Sequence, residues 1–244
     1  MKTLVIIPSR LSASRLPGKP LLKINGISMI SHVFKKAKEA AIGDVFVATE
    51  DQEIVDDVKN NGGQAILTSK TPKTGTDRIY EALKKIEVKD IELIMNLQGD
   101  EPLMDIKDIR NLYNHMVKSK SIMGTLASKI SNQGTHNKES VVKVITKEKL
   151  DEKKFPLVSS FTRKSKRDDK NTYHHLGIYC YQLETLKKFI SFAQTQNEIK
   201  YKLEQFRAID NNIEINVGLA NSSPVGVDTN EDFVAIKKIM EYKS

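Results

Sequence analysis

The sequence predicts an α/β protein in which flanking helices pack on a mainly parallel, doubly wound sheet. The first observation is a set of short, continuous apolar runs, such as residues 4–7, of the kind found in strands that are buried on both faces. The second is that amphipathic segments with helical spacing separate these runs in the first part of the chain. Strands that alternate with helices favour parallel pairing through right-handed crossover connections.

Strands and helices alternate regularly up to about residue 120. In the first predicted helix, Ile30, Val33, Phe34 and Ala37 recur at helical spacing, with lysines on the opposite side. The predicted strands of this part are residues 4–7, 45–49, 65–67 and 91–95. The predicted helices are residues 27–41, residues 50–60, a helix that opens within residues 74–78, and residues 105–117.

Beyond residue 120 the pattern changes to strands with fewer helices between them, which indicates antiparallel pairing and a second lobe. The predicted strands are residues 122–130, 141–145, 157–161, 174–181 and 213–217. A helix is predicted over residues 198–207, and Thr229 with Asp232 resembles a capping pair at the start of the last helix. A chain of 244 residues fits one large domain with a smaller appendage, or two modest lobes.

Composition restricts the classes of function. Hydrophobic residues make up 39% of the chain, and no apolar run approaches the roughly 18 residues that span a membrane. No secretory signal pattern precedes the first strand, so we expect a cytoplasmic protein without membrane insertion. The formal net charge of +8 is compatible with a nucleic-acid surface, but lysine-rich runs such as residues 147–149 are usually solvated faces. We therefore expect anionic small substrates and no nucleic-acid partner.

A basic loop follows the first strand, at the end of the sheet where proteins of this class bind ligands. It contains Pro8, Ser9 and the cations Arg10, Arg15 and Lys19. Forked arginine contacts, a compact lysine charge and backbone N–H groups suit a triphosphate, although the spacing is not that of a Walker loop. The alternative is a flexible basic surface loop.

A second polar segment, residues 96–102, follows the apolar run of residues 91–95. Gly99 permits a close backbone approach to a ligand, and Gln98 lies beside it. The carboxylate of Asp100 is a hard oxygen donor of the kind that Mg²⁺ prefers. Taken alone, the segment is also compatible with an ordinary acidic turn.

Residues 74–78 place two hydroxyls, a glycine and a guanidinium at the start of a predicted helix. A helix N-terminus carries partial positive charge, so Thr74, Gly75, Thr76 and Arg78 are candidate ligands of an anion. The alternative is ordinary helix capping, with Thr76 as the N-cap residue.

The histidines and the single cysteine do not predict a metal site. His174 and His175 have no partner at zinc-ligand spacing, so a hydrogen-bonding role is expected. Cys180 lies between two tyrosines and is predicted to be a buried structural thiol. The charged segment 163–171 is predicted to be an exposed loop.

Three motifs now stand in order along the chain: the basic loop, residues 96–102, and residues 226–232, which carry Asp228. Together they closely resemble the 3-deoxy-manno-octulosonate cytidylyltransferases, and the resemblance runs along nearly the whole chain. It also includes residues 16–20, 74–78, 175–179 and 203–207.

The resemblance implies a nucleotide-diphospho-sugar transferase fold with a small dimerisation lobe, and hence a homodimer. It implies one domain, 1–244, with a nucleotide-binding half of about 1–120 and a sugar-binding and dimerisation half of about 121–244. By resemblance, Arg10, Arg15 and Lys19 hold the triphosphate, Asp100 and Asp228 carry Mg²⁺, and Lys19, Asp100 and Asp228 form the catalytic set. The residues implied to face the sugar are Gln98, His175, Tyr179, Glu204 and Gln205.

The chain departs from the family's pattern at two places. The arginine expected to contact the sugar is displaced or lost, with Arg163 as the candidate substitute. A glutamate often found shortly before the Glu204-Gln205 pair is Tyr201 here. For Asp228, capping of the last helix is an alternative to metal binding.

We therefore predict an enzyme that uses CTP to activate 3-deoxy-D-manno-octulosonate (Kdo), giving CMP-Kdo and diphosphate, for bacterial lipopolysaccharide or capsule synthesis. One alternative is the same chemistry on another acidic sugar, such as 8-amino-Kdo or a nonulosonic acid. The other is a non-catalytic protein that binds nucleotides or nucleic acid.

Overall fold

The computed structural model describes residues 1–12, 15–130, 138–165, 170–224 and 226–242. The chain forms two compact units. The first unit comprises Lys2–Ile109 and the C-terminal segment from Pro224 onward, and the second comprises Arg110–Ser223 together with Met1. The C-terminal segment thus belongs with the N-terminal part of the chain. The predicted division into halves at about residue 120 stays a prediction.

Strands and helices lie close to the predicted positions. The strands are β1 (Thr3–Ser9), β2 (Lys23–Ile24), β3 (Ile27–Ser28), β4 (Asp44–Thr49), β5 (Ala65–Leu67), β6 (Leu93–Asn96), β7 (Met123–Ser128), β8 (Lys143–Thr146), β9 (Val158–Thr162), β10 (Thr172–Gln182) and β11 (Asn216–Leu219). The helices are α1 (Met29–Glu39), α2 (Gln52–Asn60), α3 (Gly75–Lys85), α4 (Ile106–Ser119), α5 (Leu183–Ser191), α6 (Gln196–Tyr201), α7 (Phe206–Asp210) and α8 (Asn230–Tyr242).

The sheet of the first unit is parallel, as predicted, with the order β6-β1-β4-β5. All seven residues of β1 are buried, as expected for a central strand covered on both faces. Helices α1, α2 and α3 pack on these strands. Because the strands are parallel, their carboxyl ends share one edge, and the segments that follow β1 and β6 emerge together.

A small apolar cluster ties the C-terminal segment to the rest of the first unit. Ile24 and Met29, near the start of α1, pack with Val227, Phe233 and Ile236. The predicted capping pair of α8 is confirmed, because Thr229 Oγ1 accepts from Asp232 N at 3.2 Å and Thr229 N donates to Asp232 Oδ2 at 2.9 Å. The residues on either side of Asp228 are therefore both held in place, Val227 by apolar packing and Thr229 by its hydrogen bonds with Asp232.

The second unit is built on antiparallel strands, also as predicted. The pairs β7-β10, β10-β8 and β8-β9 are antiparallel, and β11 joins β7 in parallel. Cys180 on β10 is buried, and burial raises the pKa of its thiol, which confirms the expected structural role. Of the predicted exposed loop 163–171, residues 166–169 lie outside the described part of the chain.

Three local predictions are wrong. The helix predicted over residues 198–207 is two short helices, α6 and α7, because Lys202 takes a left-handed conformation with φ of 52° that ends α6. The strand predicted over residues 213–217 is shifted toward the C-terminus, because β11 comprises Asn216–Leu219. The predicted helix 27–41 begins two residues too early, because Ile27 and Ser28 form β3, which pairs with β2 through an Asn25-Gly26 turn with positive φ at both residues.

Helix α5 was not predicted either. No helix within the described residues is long and apolar enough to cross a membrane.

Candidate active site

A cavity of about 350 Å³ opens in the first unit at the carboxyl ends of β1 and β6. It contains all but one of the predicted nucleotide-binding residues, together with both predicted metal-binding carboxylates. The lining residues are Pro8, Ser9, Arg10, Arg15, Leu16, Lys19, Pro20, Pro72, Lys73, Thr74, Gly75, Arg78, Gln98, Gly99, Asp100 and Asp228. The fold thus gathers four segments that are far apart in the sequence.

Thr76 is the predicted nucleotide-binding residue that does not line the cavity. Its side chain is buried, and its Oγ1 lies 3.5 Å from Asn96 Nδ2. The N-cap of α3 is Thr74, whose Oγ1 accepts from Asp77 N at 3.2 Å, while Asp77 Oδ2 accepts from Thr74 N at 3.1 Å. The capping prediction named the wrong threonine, because Asp77 stands three residues after Thr74, as a capping box requires.

The cavity's cations and carboxylates form pairs. Lys19 Nζ donates to Asp100 Oδ2 at 2.7 Å and to the carbonyl oxygen of Val227 at 2.6 Å. Arg15 Nη2 lies 2.9 Å from Asp228 Oδ1. The Lys19 side chain is only 12% exposed, whereas Arg15 is 61% exposed. The side chain of Lys19 is therefore more restricted than that of Arg15. Lys19 directly follows Gly18, which has a positive φ of 71°.

Arg78 is held by groups that the sequence analysis did not identify. Its guanidinium pairs with the carboxylate of Glu50 and donates to Thr68 Oγ1 at 2.5 Å and to the Ser69 carbonyl at 3.3 Å. The Arg78 side chain is 4% exposed and that of Glu50 is 13% exposed. Glu50 directly follows β4, and its place at a strand's carboxyl end was the signal that could have identified it.

Gly99 lies where the chain passes close to β1. A Cβ atom at this position would be 3.1 Å from the Pro8 carbonyl oxygen and 3.0 Å from Ile30 Cδ1. Both contacts are tighter than ordinary van der Waals separations, so a side chain at this position would force its neighbours to shift. The neighbouring Gln98 amide donates from Nε2 to Asn96 Oδ1 at 3.1 Å, which orients its side chain at the cavity.

The predicted sugar-facing residues other than Gln98 lie in the second unit. His175 and Tyr179 are both on β10, with ring centroids 5.3 Å apart. Thr125 Oγ1 donates to the Ile178 carbonyl at 2.7 Å and lies 2.9 Å from His175 Nε2, so the histidine is the donor in that bond. Burial, with a smaller effect of His174, lowers the pKa of His175 to about 3, so the ring is neutral near pH 7.

Tyr179 is the most distinctive of these groups. It is 8% exposed, and no described residue forms a hydrogen bond with its buried hydroxyl. Burial, then the nearby Tyr181 and Glu204, raise its pKa well above the ordinary value, so the hydroxyl keeps its proton. A buried phenol without a protein partner is a candidate group for binding a polar ligand.

His174 and His175 have hydrogen-bond partners, as expected. His174 Nδ1 lies 2.9 Å from Ser223 Oγ, and no group of three potential metal-binding side chains occurs among the described residues.

Glu204 and Gln205 lie in the turn between α6 and α7, with Gln205 7% exposed. Arg163, the candidate sugar-binding arginine, directs its guanidinium to backbone carbonyls near this turn. Arg163 thus has hydrogen-bond partners within the protein, and the sequence analysis did not predict them. The roles of all these residues toward substrates stay predictions.

Comparison with known proteins identifies the family. A family model described as cytidylyltransferase matches residues 4–215. The 3-deoxy-manno-octulosonate cytidylyltransferase of Rhodopseudomonas palustris (strain BisB18) is 39% identical over 243 residues, covering 99% of this chain and 98% of that protein. The protein of that name from Afipia carboxidovorans is 39% identical over 240 residues, covering 98% of this chain and 96% of that protein.

A solved structure of CMP:2-keto-3-deoxy-manno-octonic acid synthetase complexed with CTP has the same fold. It matches with a TM-score of 0.89 and 31% identity, over 100% of both chains. The fold is therefore the nucleotide-sugar transferase fold that the resemblance implied. The chain belongs to the 3-deoxy-manno-octulosonate cytidylyltransferase family.

Proposed function

We infer that the protein is an enzyme that transfers the cytidylyl group of CTP to Kdo, forming CMP-Kdo and diphosphate. The observation that carries this function is the cavity of the first unit, where cations and carboxylates converge at the carboxyl ends of parallel strands. Full-length similarity to relatives of that activity supports the choice of substrates. Neither alternative, another acidic sugar or a non-catalytic binding protein, is favoured.

The cavity suits a triphosphate. Arg10, Arg15 and Lys19 supply positive charge beside the Thr74 end of α3, where backbone N–H groups also favour an anion. In the reaction a sugar hydroxyl oxygen attacks the α-phosphorus, and the bond from that phosphorus to the diphosphate oxygen breaks. The hydroxyl proton leaves to water or a nearby base. Such a transfer needs charge neutralisation and in-line placement of the reacting oxygens, without a covalent enzyme intermediate.

We propose that Asp100 and Asp228 hold Mg²⁺. The donor set fits, since both carboxylates line one cavity and Val227 N donates to the Asp100 carbonyl at 2.9 Å, which joins their two segments. Mg²⁺ prefers oxygen ligands and binds through one or two carboxylates together with substrate phosphates. When bound, it would neutralise phosphate charge and orient the α-phosphate.

For the sugar, we propose His175, Tyr179, Glu204 and Gln205 of the second unit and Gln98 of the first. The buried Tyr179 hydroxyl and the neutral His175 ring support this assignment, because both suit hydrogen bonds to a polyhydroxylated ligand. We also propose a cytoplasmic homodimer that serves lipopolysaccharide or capsule synthesis, as the family resemblance implies. CTP is an intracellular nucleotide, which supports that location.

The direct test is diphosphate release from CTP, ATP, GTP and UTP, each with and without Kdo, in the presence of Mg²⁺. We expect release to require CTP and Kdo together, with CMP-Kdo as the second product. Release with CTP that is independent of Kdo, or that is supported only by another acidic sugar, would contradict the proposed substrate.

A further inference from the structure

We propose that Asp51 is a positioning residue for CTP, because its carboxylate fixes the start of the basic loop and with it the place of Arg10 in the cavity. The inference rests on the proposed function, since it assigns a further residue to the CTP site. Asp51 is not among the described residues that line the cavity, so it acts through the loop.

Asp51 is the N-cap residue of α2, yet its side chain does not cap that helix. Within α2, all of whose residues are described, the Asp51 side chain accepts no capping hydrogen bond. The helix begins with backbone bonds alone, since Ile54 N and Val55 N both donate to the Asp51 carbonyl, at 3.2 and 3.3 Å. Aspartate is a preferred N-cap residue because its carboxylate normally accepts from the first turn. The carboxylate of Asp51 is therefore left for another partner.

That partner is the backbone of the basic loop. Leu11 N donates to Asp51 Oδ2 at 2.7 Å, a bond that joins positions 40 residues apart. A hydrogen bond from a backbone N–H to a carboxylate is charge-assisted and stronger than one between neutral groups. Leu11 directly follows Arg10, so the bond lies one residue from a cation that lines the cavity.

The sheet fixes the position of Asp51. Thr49, the last residue of β4, is fully buried and pairs with Ser9, the last residue of β1. The Thr49 hydroxyl accepts from Asp51 N at 3.1 Å. The bond from Leu11 to Asp51 thus continues the link between these two strands beyond the last pair of the parallel ladder.

Leu11 also joins the start of the basic loop to its end. The Leu11 carbonyl accepts from Gly18 N at 3.1 Å, and Gly18 directly precedes Lys19. Leu11 is thus held through its N–H by Asp51, and through its carbonyl it holds the segment that carries Lys19. Displacement of Leu11 would therefore move Arg10 on one side and Lys19 on the other.

A fixed loop matters for binding a triphosphate. Cations that already occupy their binding positions lose less conformational entropy when the ligand arrives, so preorganisation of the loop raises affinity. Loss of the Asp51 carboxylate has two opposite consequences. Release of the loop weakens the binding of CTP, whereas removal of a negative charge near the cations strengthens it. The sign of the change in affinity therefore distinguishes a positioning role from a general electrostatic effect.

The test compares Asp51→Ser and Asp51→Asn, with Asp56→Ser as the matched control. Serine and asparagine are both good N-cap residues, so α2 should be retained in each variant. The serine side chain is one atom too short to replace the carboxylate at Leu11 N, whereas asparagine keeps an oxygen at the same place. Asp56 lies exposed on the same helix, and its Oδ1 accepts from Gln52 Nε2 at 2.7 Å.

Three quantities would be measured for each variant after circular dichroism confirms folding. Calorimetric titration gives the dissociation constant for CTP in the presence of Mg²⁺, and steady-state kinetics gives KM for Kdo. Hydrogen exchange of the Leu11 and Gly18 N–H groups would be followed by NMR on the protein without substrates.

We expect Asp51→Ser to raise the dissociation constant for CTP by about tenfold, the size expected from loss of a charge-assisted hydrogen bond, with KM for Kdo within about twofold. Exchange of the Leu11 and Gly18 N–H groups should accelerate in the same variant. Asp51→Asn should change these quantities in the same direction but by less, because it keeps a neutral acceptor. Asp56→Ser should change none of them.

Two outcomes in Asp51→Ser would overturn the inference. Tighter or unchanged binding of CTP would mean that the carboxylate acts only through its charge or has no role. Weaker binding with unchanged exchange of Leu11 and Gly18 would mean that the loop is not the intermediary.

The proposed function can fail separately. If the unaltered protein bound CTP but showed no Kdo-dependent diphosphate release, the proposed reaction would be wrong, while titration and exchange would still decide the role of Asp51. If the unaltered protein bound no CTP, both would be overturned.

Discussion

At the scale of single residues, the cavity's charges form ion pairs that CTP, bound as proposed, would have to rearrange. Lys19 binds Asp100 and the Val227 carbonyl, and Arg15 binds Asp228. Such pairs keep the carboxylates of the cavity from repelling each other while no other cation is bound. A triphosphate offers the same cations a stronger, more highly charged partner. Under the proposed function, Lys19 and Arg15 would therefore have two successive roles, first in pairing with the carboxylates and then in binding the nucleotide.

Lys19→Ala should weaken the use of CTP without unfolding the protein. Loss of a charge-assisted hydrogen bond of about 1.5–3 kcal/mol corresponds to a fall of about 10- to 150-fold in kcat/KM for CTP. Arg10→Ala, at another cation that lines the cavity, should act in the same direction. Steady-state kinetics would measure both variants, with Lys23→Ala on the exposed side of β2 as the control. Unchanged kinetics in both would place the nucleotide elsewhere.

Glu50→Gln should weaken CTP binding indirectly. Glu50 is the carboxylate partner of Arg78, a cavity residue whose side chain is almost fully buried. Loss of that charge leaves Arg78 without its ionic partner, so we expect the dissociation constant for CTP to rise about tenfold and the melting temperature to fall. Calorimetric titration with CTP would measure the affinity.

The control is Glu53→Gln, which lies exposed on α2. Normal CTP affinity in a folded Glu50→Gln protein would mean that Arg78 serves only the packing of α3.

At the residue scale, the sequence correctly placed candidate residues at the cavity where a polar group lies at or just after the end of a buried strand. Pro8 and Ser9 end β1, Arg10 follows it, and Gln98 to Asp100 come after β6, so the strand pattern alone places them at one edge. Thr76 was misplaced because two threonines flank one glycine, and only the later Asp77 distinguishes which of them caps. Partners such as Thr68 are contributed by other segments, which local sequence does not reveal.

At the scale of elements, α3 is both a packed helix and one wall of the cavity. Its capping box at Thr74 fixes where the first turn starts, and its Gly75 lies close to Pro8 on β1, since an added Cβ would be 3.3 Å from Pro8 Cγ. The helix start is therefore set by the same residues that line the cavity.

Thr74→Ala should destabilise the protein by about 1 kcal/mol, the usual cost of losing an N-cap. For a chain of this size, that corresponds to a fall in melting temperature of about 2–4 °C. Thermal unfolding without ligands would measure the change. Thr74→Ser keeps the capping hydroxyl and should melt close to the unaltered protein. Equal losses in both variants would contradict a capping origin.

Strand β10 makes stability sensitive to acid. The pKa of His175 in the folded state is lowered to about 3, against about 6.5 in the unfolded chain, so the unfolded state binds more protons between these values. The contribution of neutral His175 to the free energy of unfolding is therefore complete above about pH 6.5, and it is lost as the pH falls toward 3. We expect the free energy of unfolding to fall by up to about 1.4 kcal/mol per pH unit below 6.5.

Urea titrations at pH 7, 6 and 5 would measure this dependence, and His175→Gln should flatten it. Some dependence of the free energy of unfolding on pH should remain in the variant, because the pKa values of His174 and His115 are also lowered. The same slope in both proteins would show that His175 is not the group responsible.

Elements were predicted well where periodicity was strong and poorly where distant contacts decide. The four parallel strands and α1 to α4 follow from apolar runs and helical spacing. The break between α6 and α7 does not, because helix-forming residues such as Leu203 and Glu204 lie next to the left-handed Lys202. A contact from Arg163, which is remote in sequence, and the Glu198–Arg207 pair, which spans the break, hold the chain's path there.

At the scale of the whole molecule, the return of the C-terminal segment to the first unit completes the cavity. Val227 bridges the segments, because its amide donates to the Asp100 carbonyl and its carbonyl accepts from Lys19. The packing of Phe233 and Ile236 against Ile24 and Met29 fixes this arrangement. The family resemblance predicted that Asp100 and Asp228 form a metal-binding pair. No local sequence pattern, however, specifies the packing that places the segment of Asp228 in the same unit as Asp100.

The proposed role of Asp228 can be separated from helix capping. Capping of α8 is provided by Thr229 with Asp232, while the Asp228 carboxylate pairs with Arg15 in the cavity. Asp228→Asn and Asp100→Asn should therefore change the melting temperature little, yet each should lower turnover by orders of magnitude if the carboxylates hold Mg²⁺. Near-normal magnesium-dependent rates in either variant would exclude a metal-binding role for that residue.

Metal and nucleotide should also bind together. Without CTP, each carboxylate has a cationic partner, and that partner competes with Mg²⁺; a bound triphosphate draws Lys19 and Arg15 away and adds phosphate oxygens as ligands. We expect Mg²⁺ alone to leave the melting temperature unchanged, and Mg²⁺ with CTP to raise it more than CTP alone. In Asp228→Asn the additional rise caused by Mg²⁺ should shrink. Tight binding of Mg²⁺ without CTP would refute this coupling, because it would mean that Lys19 and Arg15 do not compete for the carboxylates.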